Sequence, residues 1–541
     1  MSEKLTRRGF LRASVVAAAG LAAASCAQPT PEVVEKEVEV EKVVKETVVV
    51  EKQVPLEVTA TPVVSKYNEA PQLTGRVQDG ELPPVDERLP EEPKIIDPVE
   101  EVGDYGGTWH RLAVGPNDTQ FNARMTSESF IRFNHFGTEM LPNVCKTWEM
   151  SEDGSQLTYQ LRRGLKWSDG EPCTADDYLY YMEDHLGNEE LSPSTPTWLR
   201  PHGELATLEK IDDYTIRFDF HGPYAMGPTM DAATQGRNLQ RWPKHYLQQF
   251  HPNYTDQAEI QKMAEDNGFE QWYQYYGDRN NEITNPDKPV IYAWQIVQPA
   301  PKQPIAAERN PYYWKVDTDG NQLPYIDRIE WMVVQGSEQV NLRAAQGEVD
   351  MQLRHITFDN YPIFKENEQV GDYRVLEWQW GENETVVSFV QDHVDPVKKE
   401  ILEDKRFRFA MSLAVNRQEI CEGIYHGTVE PSQLVPYPTS PWWTEERATF
   451  MADYDINRAN AYLDEMGLTE RDGEGFRLMP NGKRLSIIYA YAPIFGAWGS
   501  IGELLKGYYE EIGVELILKE MARQLFYEAF RAREVDLALW T

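Results

Sequence analysis

Along residues 156–185 the apolar positions change period. Leu157, Tyr159 and Leu161 alternate with polar residues, which predicts a half-buried strand. Gly164 and Ser168-Asp169-Gly170 then read as turns. Thr174 and Asp177, three residues apart, form a capping box, and Tyr178, Leu179, Tyr181 and Met182 carry the helix it starts. The same kinds of signal recur elsewhere. "GGTWHRLAVG" at 106–115 predicts a first strand after a glycine turn, "SIIYAYA" at 486–492 a later strand, and Val535 to Trp540 another.

Before residue 105 this regularity is missing. The apolar run from Ala13 to Ala24 is too short to span a bilayer. Residues 27–64 repeat Val, Glu and Lys between Pro/Thr caps. Val40, Val43, Val44 and Val48 fit a helical stripe, while Glu37-Val38-Glu39-Val40 fits strand alternation. With a mixed period and no aromatic residue to build a core, a tether is expected, and a short oligomerising coiled coil is the alternative. Residues 65–104, rich in Pro, Glu and Asp, read as irregular linker.

Charge and cysteine usage narrow the class. The chain has 541 residues, enough for more than one domain, and a net charge of −35 from 53 basic and 88 acidic residues. That balance argues against nucleic acid, whose phosphates need basic patches. Arg7 and Arg8 stand in T-R-R-G-F-L-R, which resembles a twin-arginine export signal. Ala23-Ala24-Ser25 before Cys26 resembles a lipobox, so cleavage would leave Cys26 as a lipid-bearing N-terminus; an ordinary signal peptide that contains a cysteine is the other reading. Cys145, Cys173 and Cys421 show no CxxC spacing. A Cys145–Cys173 disulfide is open to an exported chain, and buried thiols acting as small hydrophobes are the alternative.

The segment around the capping box resembles a known family. Pro142, Trp148-Glu149, Asp153-Gly154, Leu161-Arg162, Gly164, Trp167, Asp169-Gly170, Thr174-Ala175 and Asp177 match the hallmark segment of the family 5 solute-binding proteins of ABC importers. "ERNPYYW" at 308–314, "AAQGEVDM" at 344–351 and the helix pattern from Asp404 to Arg417 follow in the family's order. Asn416 stands where that pattern has aspartate. Two late helix–strand blocks extend the match over about 105–541.

The resemblance implies an α/β fold: two periplasmic-binding-protein-like lobes (class II, large type) joined by a hinge, with an extra subdomain. The hallmark residues then build a turn and a cap and touch no ligand. The expected organisation is a signal at 1–26, tether and linker at 27–104, a first lobe at 105–320 with its subdomain at about 126–200, and an incomplete second lobe at 321–541. Relatives continue past a strand like the one ending at Trp540, so the resemblance implies a C-terminally truncated fragment. The partners implied are an oligopeptide, a permease, an ATPase subunit and, through Cys26, a membrane; an oligosaccharide is the alternative ligand.

No spacing points to catalysis, a cofactor or a metal. There is no P-loop, GxSxG, GxGxxG or HExxH. Asp317, Asp319 and Asn321 alternate like a calcium loop, but Gly320 is misplaced and the late glutamate is missing, so a turn is expected. Fifteen Trp and 28 Tyr invite a stacking role. In open α/β sheets ligands sit beyond the carboxyl ends of strands. This singles out Asn117, Phe121 and Asn122 after the first strand, Phe495 and Trp498 after "SIIYAYA", and Trp442 and Trp443 in "SPWW". A secreted carbohydrate-active enzyme is the rival from another class; it would need two carboxylates about 5–10 Å apart across a cleft.

Overall fold

The structure is a computed structural model that describes residues 65–378, 385–493 and 496–540. The readings placed on Arg7, Arg8, Cys26 and the 27–64 tether lie outside the described residues, as does Phe495.

Among the described residues, three four-stranded sheets organise the fold. In the first, Thr108–Val114 lies at an edge beside Arg328–Val334, followed by Ile305–Arg309 and Trp294–Gln298. Thr108–Val114 and Arg328–Val334 run parallel, with Arg111 opposite Trp331. The second sheet is an antiparallel meander with one swap: Cys145–Met150, Gln156–Leu161, Thr215–Asp219, Thr207–Asp212. The third has Val386–Phe389 at one edge, then Leu537–Trp540, Ser486–Tyr491 and Glu515–Glu520. Each sheet covers its apolar face with a core of its own, the second around Trp167, Tyr159 and Tyr178, the third around Met411, Tyr489 and Leu505.

The hallmark segment is structural, as the resemblance implied. Asp177 Oδ2 accepts a hydrogen bond from Thr174 N at 2.8 Å, and the Asp176 amide donates to Thr174 Oγ1, closing the capping box on Ala175–Leu179. Gly170 has φ +94°, and a Cβ there would stand 2.8 Å from the Tyr312 hydroxyl. Two blocks far apart in the chain thus interlock. Asn310 fixes the second: its amide nitrogen donates to Tyr292 O at 2.8 Å, and Tyr312 N donates to its side-chain oxygen at 2.8 Å. Asn416 still caps its helix, accepting from Glu419 N at 3.2 Å, so the exchange for aspartate keeps the contact.

Three assignments differ from the sequence reading. Residues 65–104 are not irregular throughout: helices Pro71–Gln78 and Val85–Arg88 and the strand Lys94–Ile96 pack on the first half, burying Leu73, Leu82 and Leu89. Arg88 anchors them, donating to Glu69 at 2.6 Å and to Pro311 O at 2.8 Å. The first lobe also passes residue 320, since Arg328–Val334 is an inner strand of its sheet and helix Ser337–Ala345 covers that sheet through Val340. The subdomain likewise passes residue 200, because two of its strands lie at 207–219.

Cys145, Cys173 and Cys421 are free and buried; burial pushes the Cys145 thiol up to about 12. Residues 317–321 form a turn: Asp317 Oδ1 accepts from the backbone of Asp319 at 2.9 Å and Asn321 at 2.8 Å. Among the described residues, no helix is long and apolar enough to cross a membrane.

Candidate functional site

A cleft of about 2410 Å³ opens between the first and third sheets. Its first wall starts on Thr108–Val114, where the period of two puts Trp109 and Arg111 on one face. The turn Phe121–Met125 adds Arg124 and Met125, and Trp294 comes from the sheet's far strand. The facing wall includes the edge strand Val386–Phe389, the aromatic pair Phe358 and Tyr361, Trp378, and a loop through Pro431 and Leu434. Phe358 and Tyr361 stack at 5.0 Å between centroids, and Tyr425 hydrogen bonds Thr385 at 2.7 Å. Trp378 is 58% exposed and Phe136 75% exposed, both on the cleft. Large apolar side chains bared together in a concavity mark a binding groove.

Residues 349–357 carry the chain from the first sheet toward the third. Asp350 Oδ2 accepts from His110 N at 2.6 Å and Gln352 Oε1 from Leu112 N at 3.2 Å, which holds the segment along the first sheet's edge strand. Asp118 then clamps it through Arg354 and His355, the latter at φ +63°. Burial pushes the Asp118 carboxyl up, but hydrogen bonds from His355 and Arg354 outweigh it and hold the group below the usual carboxylate range.

The cleft's charge is opposite to the chain's. Its described lining has six arginines and three glutamates, with no lysine or aspartate, in a protein of net charge −35. Among the described residues, no cluster of three His, Cys, Asp or Glu could hold a metal ion.

The residues singled out from sequence are placed differently from this wall. Phe121 is 0% exposed and packs edge-on against Trp331 at 6.0 Å. Trp498 is 0% exposed, under Tyr489, whose hydroxyl donates to its carbonyl at 2.7 Å. Asn117 is exposed in the turn Pro116–Asp118, and Trp442, 71% exposed, shares an outer loop with half-buried Trp443. None of these five is among the cleft's described lining, and Asn122 is placed only by its backbone in Phe121–Met125. The loop after the first strand does reach the cleft, through Gln120, Arg124 and Met125. Trp109 and Arg111 were missed because they sit on the strand itself; its alternation was the available signal.

The family profile of bacterial extracellular solute-binding proteins, family 5 (middle), matches residues 139–541. The periplasmic alpha-galactoside-binding protein of Rhizobium meliloti is 27% identical over 496 residues, which cover 84% of this chain and 68% of that protein. Oligopeptide-binding protein OppA of Bacillus subtilis is 25% identical over 359 residues, 64% of this chain and 58% of that one. A solved oligopeptide-binding protein OppA superposes with a TM-score of 0.66 at 37% identity, covering 88% of this chain and 75% of its own. The periplasmic binding protein MelB from Agrobacterium fabrum, solved with stachyose, shares the fold with a TM-score of 0.65 at 24% identity, covering 88% and 74%.

Proposed function

The chain belongs to the bacterial extracellular solute-binding proteins of family 5, and from that premise we propose that it captures oligopeptides outside the cytoplasm and delivers them to an ABC permease. Two walls from separate sheets close on the ligand, and the contacts made to both stabilise the closed state. The cleft's size and lining carry the reading. Drug-sized ligands fill pockets of about 300–1,000 Å³; about 2410 Å³ suits an extended oligomer. Val386–Phe389, an edge strand on the cleft, offers main-chain groups with which an extended peptide can pair whatever its side chains. The chain performs no bond chemistry in this role; ATP hydrolysis belongs to a partner subunit. Arg7 and Arg8 direct export, Cys26 carries the lipid, and 27–64 holds the binding unit off the membrane.

An oligosaccharide is the second reading. It is favoured by Trp109, Trp294 and Trp378 on the walls, flat faces on which sugar rings can stack, and by the galactoside-binding relative. Native mass spectrometry of the full-length protein from its own host separates the two. Co-purified peptides of mixed mass are the expected result; a ladder spaced by one hexose would replace the peptide reading with the saccharide one.

A further inference from the structure

Residues 349–357 are fastened to the first wall almost to their end. Asn341, on the helix Ser337–Ala345 that covers the first sheet, donates its amide nitrogen to His355 O at 2.8 Å and accepts from Thr357 N at 2.9 Å. One residue later the chain belongs to the other wall: Phe358 packs on the third sheet's core, its ring 5.8 Å from that of Tyr425. The helix Tyr361–Gly371 follows and adds Tyr361 and Phe364 to the cleft. The swing between the walls is thereby confined to the few residues around Thr357 and Phe358. The walls meet a second time where the C-terminal ends of Ser337–Ala345 and Tyr361–Gly371 touch backbone to backbone. A Cβ on Gly347 would overlap the Gly371 carbonyl oxygen and stand 2.9 Å from its carbon. One on Gly371 would strike the Tyr373 ring and press on Ala345 O at 3.2 Å. Among the described residues no hydrogen bond or ion pair joins the two helices, so they touch without being tied.

This contact lies behind the crossing. Met351 and the run from Leu353 to Phe358 line the cleft, whereas no residue of 337–350 or 365–373 is among its described lining. Walls that part at the mouth approach each other on the far side of their hinge. There backbone already meets backbone, and packed atoms do not yield. We infer that Gly347 and Gly371 form the stop that limits how far the cleft opens, with glycine on both faces because a side chain on either would end the swing sooner. Gly347 has a local reason as well. It closes its helix in the left-handed region, φ +77°, with its own N–H on Ala344 O and that of Glu348 on Arg343 O, each at 3.0 Å. Gly371, the last residue of its helix, has no such local need, and a helix gains nothing from glycine there. This rests on the two-wall closure proposed above and on no particular ligand.

Gly347→Asn keeps the left-handed helix end, which asparagine tolerates, and places a side chain in the gap. Gly467→Asn is its control: Gly467 ends Ile456–Glu465 at φ +80° with the same pattern of hydrogen bonds, and a Cβ there would meet nothing within 4 Å. Gly371→Ala enters the gap from the other helix. Spin labels on Glu139→Cys, beside the hairpin turn that carries Phe136, and on Glu446→Cys, in the helix Glu445–Thr449 of the other wall, stand at exposed positions. Double electron–electron resonance between them reads the opening in the full chain, with Cys26→Ser leaving the buried Cys145, Cys173 and Cys421 as the native thiols. Free wild type and Gly467→Asn are expected to share one distance distribution. Gly347→Asn and Gly371→Ala should lose its long-distance end and, in isothermal titration, bind penta-alanine about two- to tenfold more tightly, since more of the free protein is already closed. Penta-alanine at saturation should bring all of them to one shorter distance. Free distributions of Gly347→Asn and Gly371→Ala equal to that of wild type, or longer, overturn the stop, and so does an equal shortening in Gly467→Asn. If Gly347→Asn fails to fold, Gly371→Ala decides. Wild-type distances that neither penta-alanine nor raffinose shortens overturn the closure reading, while the comparison of the free proteins still decides the stop.

Discussion

Asp231 shows how far burial decides a single residue. It is 0% exposed, and its Oδ2 accepts from Ile131 N at 2.9 Å. Burial pushes its carboxyl up to about 7, against backbone hydrogen bonds from Ile131 and Phe130. A folded-state pKa above the unfolded value near 3.8 means that the native state holds its proton longer than the unfolded chain does. The resulting stability is complete below about pH 4 and is lost as pH rises through about 7. Asp231→Asn keeps an acceptor and removes the titration. Relative to wild type, the variant should gain roughly 1.4 kcal/mol per pH unit between about 4 and 7, measured by urea unfolding across that range; parallel pH profiles would refute it. Burial also explains where residue-level reading stopped. Phe121, Trp498 and Trp109 are all large aromatics, but Phe121 on the turn after the first strand and Trp498 at the start of a helix fill cores, while Trp109 on the strand itself faces the cleft. Residue type carries no information on that choice; the face each element turns to the core does.

At the scale of elements, the sequence was most legible where structure is locally determined. The alternation over Leu157–Leu161 and the Thr174–Asp177 box describe contacts spanning a few residues, and both are present. The helices within 65–104 were not legible, because their anchor is Arg88 reaching Pro311, a partner 223 residues away. The hallmark turn joins the two cases, since Gly170 needs its positive φ locally and its missing Cβ because of distant Tyr312. Thr174→Ala removes a cap and should cost about 1 kcal/mol. Gly170→Ala meets both backbone strain and a 2.8 Å contact, so it should cost more, about 2–3 kcal/mol. Chemical denaturation ranks them; a smaller loss in Gly170→Ala would mean that the Tyr312 contact yields freely.

For the whole molecule, six blocks in order were enough to imply two lobes, but not to divide them. The boundary set at 320 failed because Arg328–Val334 returns to pair in parallel with Thr108–Val114, more than 200 positions earlier, and local pattern holds no record of that pairing. The same topology dictates how closure must be detected. The two walls belong to different sheets and are linked by residues 349–357, clamped at Asp118. A ligand that touches one wall binds open and closed forms equally and shifts nothing; only contacts to both drive closure. Hydrogen exchange reports each wall separately. At penta-alanine concentrations near 100 times the Kd, binding linkage supplies about 2.7 kcal/mol, or roughly a hundredfold slowing, to amides that open only in the free protein. That slowing is expected in both 386–389 and 108–114. Protection confined to 386–389 would mean that the peptide adds as a strand to the third sheet while the cleft stays open. The first sheet would then have no part in holding the ligand.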